Sequence, residues 1–323
     1  MRTALVGTVV STRVALDGLA SVGQQPLAVV TLPPERSTRH SDYVDLGPDA
    51  RAMGIEVIYA VDINAPEVLE ALARLDLDFL FVIGWSQLCG RDLLGLPRSG
   101  TIGFHPSALP KNRGRAVVPW TIIQGLKRTG STLLWLDEGM DSGDVLAQET
   151  FDLSPDETAA SLYDKHLGSL ATMIKANAVL LAEGGAPPRV TQNHSAATYC
   201  ARRTKQDGWI DWQRPANEVW TLIRAVGDPY PGAFTAYRQR TITVWSAEMV
   251  PDAPFVGTAG QVQAISSAGA VVRCGDGDHV LIKTVQLDGG ERVSAADIVK
   301  VHGRLGLDPV EVWRAIERGG GDS

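Results

Sequence analysis

GFHPSALPKNRGR, residues 103–115, is the stretch of this chain around which the rest is organised. Two apolar, β-prone runs, residues 77–84 and 101–104, precede its histidine. His105 is therefore expected where a buried strand opens into a loop, a position that exposes a side chain to ligands while its backbone stays rigid. The stretch predicts a functional site at the carboxyl edge of a sheet.

A second motif, GMDSGD at residues 139–144, follows another strand-like run at residues 131–136. Asp141 is thus also expected just beyond a strand, where it can meet His105 at the same edge of the sheet. A carboxylate beside an imidazole orients the ring and can take a proton from an attacking group. Taken singly, an Asp in a Gly-rich turn is more often a turn former than a catalyst. The two residues together predict an acid–base site.

Strand and helix signals alternate through the first half of the chain. They predict, in order, a strand at residues 3–10, a helix at 11–22, a strand at 27–32, a strand at 56–61 and a helix at 66–75. Such alternation predicts an α/β domain with a Rossmann-like, mainly parallel sheet. A single glycine, Gly7, follows the first strand, so the Gly-x-Gly-x-x-Gly pattern of dinucleotide binding is absent.

The second half of the chain has a different pattern. Short β-rich segments separated by turns predict a smaller β-rich domain, an OB-like barrel. We expect a catalytic domain at residues 1–188, a linker at 189–204 and the barrel domain at 205–323. Between the motifs and the linker, Ser154 with Pro155 and Glu157 predicts the start of a helix on which His166 is partly exposed.

Length, charge and composition limit the class of protein. A chain of 323 residues suits two domains, and a formal net charge of −7 argues against non-specific nucleic-acid binding. No apolar run approaches the roughly 20 residues of a membrane span. The chain enters its first strand without the regions of a signal peptide, so we predict a cytoplasmic protein.

The three cysteines are Cys89, Cys200 and Cys274. They are widely separated, odd in number and without His or Cys neighbours at the spacing of metal ligands. This pattern predicts reduced, unpaired thiols and no metal site.

The elements His-Pro-Ser-x-Leu-Pro, Arg-Gly-Arg and Asp-Ser-Gly-Asp resemble the signature of the folate-dependent formyltransferases. That family includes methionyl-tRNA formyltransferase and the N-formyltransferases that act on nucleotide-linked amino sugars. DGWIDW at residues 207–212 and YPGAF at 230–234 resemble hallmarks of its C-terminal domain, so the likeness covers both domains. The resemblance implies an enzyme that uses N10-formyltetrahydrofolate as co-substrate and no metal.

In that family a strand-end Asn-x-His and a downstream Asp form the catalytic trio. His105 and Asp141 match the family His and Asp, whereas the position of the Asn is Gly103. The Asn helps to hold the formyl oxygen, and losing one such donor costs roughly 3 to 4 kcal/mol in other enzymes. Gly103 leaves three explanations open. A backbone N–H, a bound water or a nearby side chain replaces the Asn amide; or the enzyme is slow; or it catalyses a different reaction. The candidate side chains are Gln87, Ser86 and Asn112.

The resemblance also implies a folate pocket lined by three short segments. They are Trp85-Ser86-Gln87-Leu88, Leu109-Pro110 and the residues Asp137, Glu138, Gly139 and Met140. For Trp85 and Leu88, a place in the core beneath a loop is the alternative. Leu109-Pro110 on its own is also explained as a rigid connection.

Three cations, Lys111, Arg113 and Arg115, lie within five residues of one another. A solvated surface run explains such clustering, but an anionic acceptor would use the same groups, because guanidinium binds phosphate and carboxylate well. By resemblance, Arg115 favours the amino-sugar members, which tend to have Arg-Gly-Arg where the tRNA enzymes have Arg-Gly-Ala. We therefore predict these three residues as acceptor-binding.

The predicted function is transfer of a formyl group to an amine on a nucleotide-linked amino sugar. Methionyl-tRNA formylation is the main alternative, and it is disfavoured by the acidic charge. An amino acid or hydroxylamine acceptor is another, and Gly103 leaves open a formyl-folate hydrolase or a non-catalytic folate-binding protein. We expect a small-molecule acceptor and no membrane partner. The second domain is interpreted as an acceptor-recognition element, the interface of a homodimer or a stabilising appendage.

Overall fold

The structure is a computed structural model that describes residues 1–39 and 42–307. It divides into two compact units. The first comprises Met1–Thr121, Leu126–Pro155 and Ser161–Arg202. The second comprises Ile122–Gly125, Asp156–Ala160 and the chain from Arg203 onward. The division after Arg202 falls within the segment predicted as the linker.

From the start of the chain to residue 200, helices alternate with strands. The elements are β1 (Thr3–Val6), α1 (Val10–Ser21), β2 (Ala28–Thr31), a 3₁₀ helix (Pro34–Arg39), α2 (Gly47–Ala52), β3 (Glu56–Tyr59), α3 (Pro66–Ala73), β4 (Phe79–Val82), α4 (Arg91–Leu94), β5 (Gly100–His105), β6 (Arg113–Gly114), α5 (Val117–Ile123), β7 (Arg128–Trp135), β8 (Val145–Asp152), α6 (Ala159–Ala182), a 3₁₀ helix (His194–Ala196) and β9 (Tyr199–Cys200).

In the part of the first unit that the structure describes, the main sheet has seven strands in the order β3-β2-β1-β4-β5-β7-β8. The strands from β3 to β5 in this order pair in parallel. β7 and β8 are antiparallel additions at the β5 edge. The prediction of an α/β domain with a Rossmann-like, mainly parallel sheet is confirmed.

One topological expectation is wrong. β7 runs antiparallel to β5, with His105 opposite Thr132, and continues toward the start of β5 until Trp135. At about 3.3 Å per residue, β7 therefore ends about 10 Å behind His105 and not at the same edge. The loop at residues 136–144 runs back over this distance and carries Asp141 to the site.

The inner strands β1, β2 and β4 are buried on both faces, as their apolar sequences require. In β4, Phe79 and Phe81 belong to a hydrophobic cluster that also contains buried residues of α1 and α6. Leu80 and Val82 belong to a second cluster, which contains buried residues of α3. Because successive side chains of a strand alternate between faces, a four-residue strand contributes to both cores.

Two local expectations about α6 are wrong. The helix begins at Ala159, because β8 holds the chain extended as far as Asp152 and a turn follows, so Ser154 is not its cap. His166 is only 1% exposed, since α6 packs this residue against the sheet. Its Nδ1 atom lies 2.8 Å from Ser131 Oγ, and its ring meets Phe151 edge-on.

The second unit is built mainly from antiparallel strands. Its elements are a 3₁₀ helix (Lys205–Gly208), α7 (Ala216–Val226), β10 (Ala233–Tyr237), β11 (Arg240–Val250), β12 (Val262–Ser266), β13 (Gly269–Arg273), β14 (His279–Leu287), β15 (Arg292–Ser294) and α8 (Ala295–Ile298). The strand order is β10-β11-β14-β13-β12, and β15 also pairs with β14. A smaller β-rich domain is confirmed, and its closure into an OB-like barrel stays a prediction.

Two buried threonines give a test of the fold. Thr12 Oγ1 donates to Ile83 O at 2.6 Å and accepts from Val9 N at 3.2 Å, which ties the start of α1 to the end of β4. Thr31 Oγ1 is equally buried but has no partner among the described residues. Thr12→Val leaves a buried donor and acceptor unpaired, so we expect it to lower the free energy of unfolding by about 1–3 kcal/mol.

The matched control is Thr31→Val, which removes an unpaired hydroxyl and should be neutral or stabilising. Thermal and urea unfolding followed by circular dichroism measure both variants. Equal losses for the two would contradict the bonding assigned to Thr12.

Candidate active site

A cavity of about 540 Å³ opens at the carboxyl edge of β1, β4 and β5. Its walls come from the segments that follow these strands, from the loop between β7 and β8 and from α6. The lining residues include Ser11, Asp42, Trp85, Ser86, Gln87, Leu88, Cys89, Gly103, His105, Gly114, Arg115, Leu134, Leu136, Asp137, Gly139, Met140, Asp141, Tyr163 and His166. Its size is that of a small-molecule site.

His105 is the last residue of β5 and is 4% exposed. Its Nε2 atom lies 2.7 Å from the backbone oxygen of Asn112. A carbonyl oxygen only accepts hydrogen bonds, so Nε2 carries the hydrogen and donates it. Asn112 has a φ of +54°, the left-handed conformation that Asn tolerates. The ring is thereby fixed with Nδ1 facing the other way.

Asp141 provides the partner for that second nitrogen. Its Oδ1 lies 3.5 Å from His105 Nδ1, and its Oδ2 accepts a hydrogen bond from Gly114 N at 2.7 Å. The Asp141 side chain is 23% exposed, so the carboxylate is reachable from the cavity. The structure therefore brings the two predicted catalytic residues together, each anchored by a backbone group of the stretch 112–114.

Gly103 is two residues before His105 on β5, so a side chain there would face the same way as the imidazole. A Cβ atom added at Gly103 would lie 2.5 Å from Leu136 Cδ2 and 2.9 Å from its Cγ. Leu136 thus occupies the space beside Gly103. The cavity wall next to His105 is apolar at this point.

Two of the side chains considered as replacements for a polar group at Gly103 are engaged elsewhere. The amide of Gln87 donates to Val61 O at 2.9 Å and accepts from Ile63 N and Trp85 Nε1. Asn112 Oδ1 accepts from Thr198 Oγ1 at 3.3 Å. Of the three side chains, Ser86 is therefore the one that remains as a replacement for the missing amide. It is exposed and lines the cavity.

Most of the residues predicted for a cofactor do line the cavity. They are Trp85, Ser86, Gln87, Leu88, Asp137, Gly139 and Met140. Leu109, Pro110 and Glu138 are not among the lining residues. Leu109 is buried and bonds through its backbone to Thr132 and Gln148, while Glu138 forms an exposed ion pair with Arg91 at 2.6 Å.

The three predicted acceptor-binding cations separate in the structure. Arg115 lines the cavity, is exposed, and donates from Nη2 to Ser86 O at 2.7 Å. Lys111 is exposed but does not line the cavity. Arg113 is 2% exposed, so we do not carry it into the proposed acceptor site.

Sequence reasoning missed one wall of the cavity. Ser11 follows β1, and the carboxyl-edge argument applied to His105 would have identified it. Asp42 and Tyr163 lie far apart in the sequence, yet Tyr163 Oη donates to Asp42 Oδ2 at 2.5 Å. Neither carries a local motif, because the packing of α6 brings Tyr163 to the cavity.

Cys89 supplies a thiol to the cavity wall. Burial raises its pKa to about 11, so the thiol stays protonated at neutral pH and is a poor nucleophile. Residues 1–39 and 42–307 contain no cluster of three or more His, Cys, Asp or Glu side chains placed to hold a metal ion. No helix of that part of the chain has the length and hydropathy to span a membrane.

Two family models match the chain. The model described as "Formyl transferase" matches residues 10–173, and that described as "Formyl transferase, C-terminal domain" matches residues 202–303. The chain is 33% identical over 302 residues to a methionyl-tRNA formyltransferase of Agathobacter rectalis. That alignment covers 93% of this chain and 96% of the relative, so the similarity extends through both units.

Solved structures with a similar fold include HypX from Aquifex aeolicus in complex with tetrahydrofolic acid. It has a TM-score of 0.65 at 19% identity, covering 92% of this chain and 46% of HypX. WlaRD, a sugar 3N-formyl transferase in the presence of dTDP and 5-N-formyl-THF, has a TM-score of 0.61 at 16% identity. That match covers 87% of this chain and 97% of WlaRD. Each of these two structures is of a protein studied with a folate compound.

The contact between Gly103 and Leu136 can be tested by a double-mutant cycle. Gly103→Ala places a methyl group against Leu136, which must shift, so we expect a loss of about 1 kcal/mol in the free energy of unfolding. Leu136→Ala should remove that penalty in the double variant, because it vacates the space. Unfolding of the four proteins gives the coupling energy, and strictly additive effects would contradict the contact.

Proposed function

We propose, from the premise that the chain belongs to the formyl transferase family, that His105 and Asp141 transfer a formyl group from N10-formyltetrahydrofolate to an amine. The family and the enzyme class predicted from the sequence are confirmed by the two family models and the relative. The observation that carries the site assignment is the 3.5 Å separation of His105 Nδ1 and Asp141 Oδ1 inside the cavity.

The cavity suits a reduced folate by its wall chemistry. Leu134 and Leu136 supply apolar surface, and Leu88 and Met140 are apolar side chains left 72% and 53% exposed. The loops at residues 84–89 and 136–141 also line the cavity, and we assign their backbone groups as partners for the polar edge of a flat ring that lies between apolar side chains. When bound, N10-formyltetrahydrofolate supplies the formyl group, and a neighbouring amine receives it.

His105 acts on the formyl oxygen in this proposal. Because Nε2 already donates to Asn112, a hydrogen bond to the substrate comes from Nδ1, and it requires the protonated ring. The carboxylate of Asp141 lies 3.5 Å from Nδ1, a distance at which opposite charges attract. Leu136 fills the space beside Gly103 and has no hydrogen-bond donor. We therefore assign the protonated imidazole as the group that stabilises the negative charge developing on the formyl oxygen.

Asp141 acts on the acceptor nitrogen. The amine nitrogen forms its bond to the formyl carbon as the bond from that carbon to N10 breaks. The proton released by the amine passes to Asp141 Oδ1 and from there to the departing N10, so that Asp141 returns to its carboxylate form. Gly114 N holds Oδ2 at 2.7 Å, which keeps Oδ1 directed at the imidazole and the cavity.

For the acceptor we propose a small molecule, a nucleotide-linked amino sugar. Arg115 supports this choice, since it lines the cavity with one of its N–H groups bonded to Ser86 O and the rest of its fork exposed. A guanidinium in that position suits a phosphate or carboxylate. Residues 203–307 contain as many Asp and Glu as Lys and Arg, and the whole chain has a net charge of −7. Such a balance offers little attraction to an RNA backbone.

Methionyl-tRNA is the second candidate, because a relative of that name is 33% identical over nearly the whole chain. A panel assay separates the two. Purified protein is given N10-formyltetrahydrofolate and either dTDP- and UDP-linked amino sugars, methionyl-tRNA or no amine, and both formamide and tetrahydrofolate are measured. We expect formamide with a nucleotide-linked sugar. Formamide on methionyl-tRNA alone supports the second candidate, and tetrahydrofolate without any amine indicates hydrolysis.

The roles of the pair predict the effect of two substitutions. Asp141→Asn removes the proton acceptor and His105→Asn removes the charged donor, so each should lower kcat by about 100-fold or more. Binding of tetrahydrofolate, measured by fluorescence titration, should be largely intact. Asp164→Asn, on an exposed position of α6, is the control with the same change of charge. Wild-type turnover in both site variants would mean that the site is elsewhere.

A further inference from the structure

Gln192 follows α6 in the sequence, is 6% exposed, and contacts both segments of the catalytic site. Its Nε2 donates to two backbone oxygens of the loop that carries the carboxylate, Asp141 O at 2.9 Å and Gly143 O at 2.6 Å. Its Oε1 accepts two hydrogen bonds from Arg113, from Nη2 at 2.6 Å and from Nε at 3.2 Å. Every hydrogen-bonding group of this buried amide is used.

Arg113 lies on the other side of this amide and belongs to the stretch that anchors His105. Its guanidinium also contacts His194 Nδ1 at 3.1 Å and Tyr199 Oη at 3.3 Å. Its backbone N donates to Thr198 O at 2.8 Å. None of these partners is a carboxylate, so side-chain and backbone hydrogen bonds hold the guanidinium while the stretch 112–114 is held in place.

We infer that Gln192 is a positioning residue for Asp141. It fixes the loop at residues 136–144 to Arg113. Arg113 lies between Asn112, whose carbonyl anchors His105, and Gly114, whose amide anchors Asp141. The inference rests on the proposed function, because it concerns the placement of the proposed proton acceptor.

The backbone of Asp141 turns sharply at the site. Its φ is +49°, a left-handed conformation that is uncommon for non-glycine residues and that Asp tolerates better than most. The loop also reaches the site from a strand that ends about 10 Å behind His105. Two hydrogen bonds to the carbonyls of Asp141 and Gly143 fix this turn, and with it the 3.5 Å separation from His105.

Gln192→Glu tests the hydrogen bonds from Gln192 to the loop at residues 136–144 separately from its hydrogen bonds with Arg113. A glutamate keeps the shape and still accepts from Arg113 as an ion pair, but it has no N–H group to donate to the two carbonyls. We expect kcat of the folded protein to fall about 100-fold, as a displacement near 1 Å produces, with KM for the folate little changed. The two carbonyls left unpaired also lower the thermal unfolding midpoint. A purely structural role would lower the midpoint and leave kcat of the folded protein intact.

The matched control is Gln286→Glu in the second unit. Gln286 also donates from Nε2 to a backbone oxygen, Gly290 O at 2.6 Å, and accepts from Trp245 Nε1 at 3.1 Å. This variant should keep wild-type kcat. Gln192→Met, which keeps the volume and loses all four bonds, should reproduce the loss of kcat seen with Gln192→Glu and add a further loss of stability.

Wild-type kcat in Gln192→Glu, in the same assay in which Asp141→Asn is inactive, would overturn the inference and leave the proposed function standing. Failure of the proposed function shows differently, as full activity of Asp141→Asn and His105→Asn. Loss of the folded state by both Gln192 variants would also overturn the inference, since Gln192 would then maintain the domain and not Asp141 in particular.

Discussion

The hydrogen bond from His105 Nε2 to the carbonyl of Asn112 is the interaction on which the site depends. It commits one imidazole nitrogen to the backbone and leaves Nδ1 for Asp141 and the cavity. The same stretch of chain supplies the amide that holds Asp141, at Gly114, so one loop orients both members of the pair. Proton transfer needs such fixed geometry, because misplacement of a reacting group by about 1 Å is costly.

Much of the fold could be predicted from periodicity and turn chemistry. The alternation at the start of the chain specifies a parallel sheet, and β1, α1, β2, β3, α3 and β5 lie close to their predicted positions. The direction of β7 could not be predicted, because no local pattern distinguishes a strand that returns by a hairpin from one that follows a crossover. The cap signals at Ser154 did not mark the start of the helix, since the chain turns after β8 ends at Asp152 and α6 begins only at Ala159.

The site was predictable only where function leaves a local motif. His105 and Asp141 have such motifs, and the structure brings them together even though the topological reason first given for it was wrong. Tyr163 and Gln192 have none, because their roles arise from packing and from hydrogen bonds between distant segments. Burial of Arg113 is likewise invisible in a run of cations. The predicted cytoplasmic location and homodimer stay predictions.

The most direct test of the catalytic role assigned to His105 and Asp141 is a crystal structure of the protein with a formyl-bearing reduced folate and a nucleotide-linked amino sugar. We expect the formyl oxygen within hydrogen-bond reach of His105 Nδ1 and the acceptor nitrogen within about 3–3.5 Å of both the formyl carbon and an oxygen of Asp141. A folate bound outside the cavity, or an acceptor nitrogen turned away from Asp141, would contradict that role.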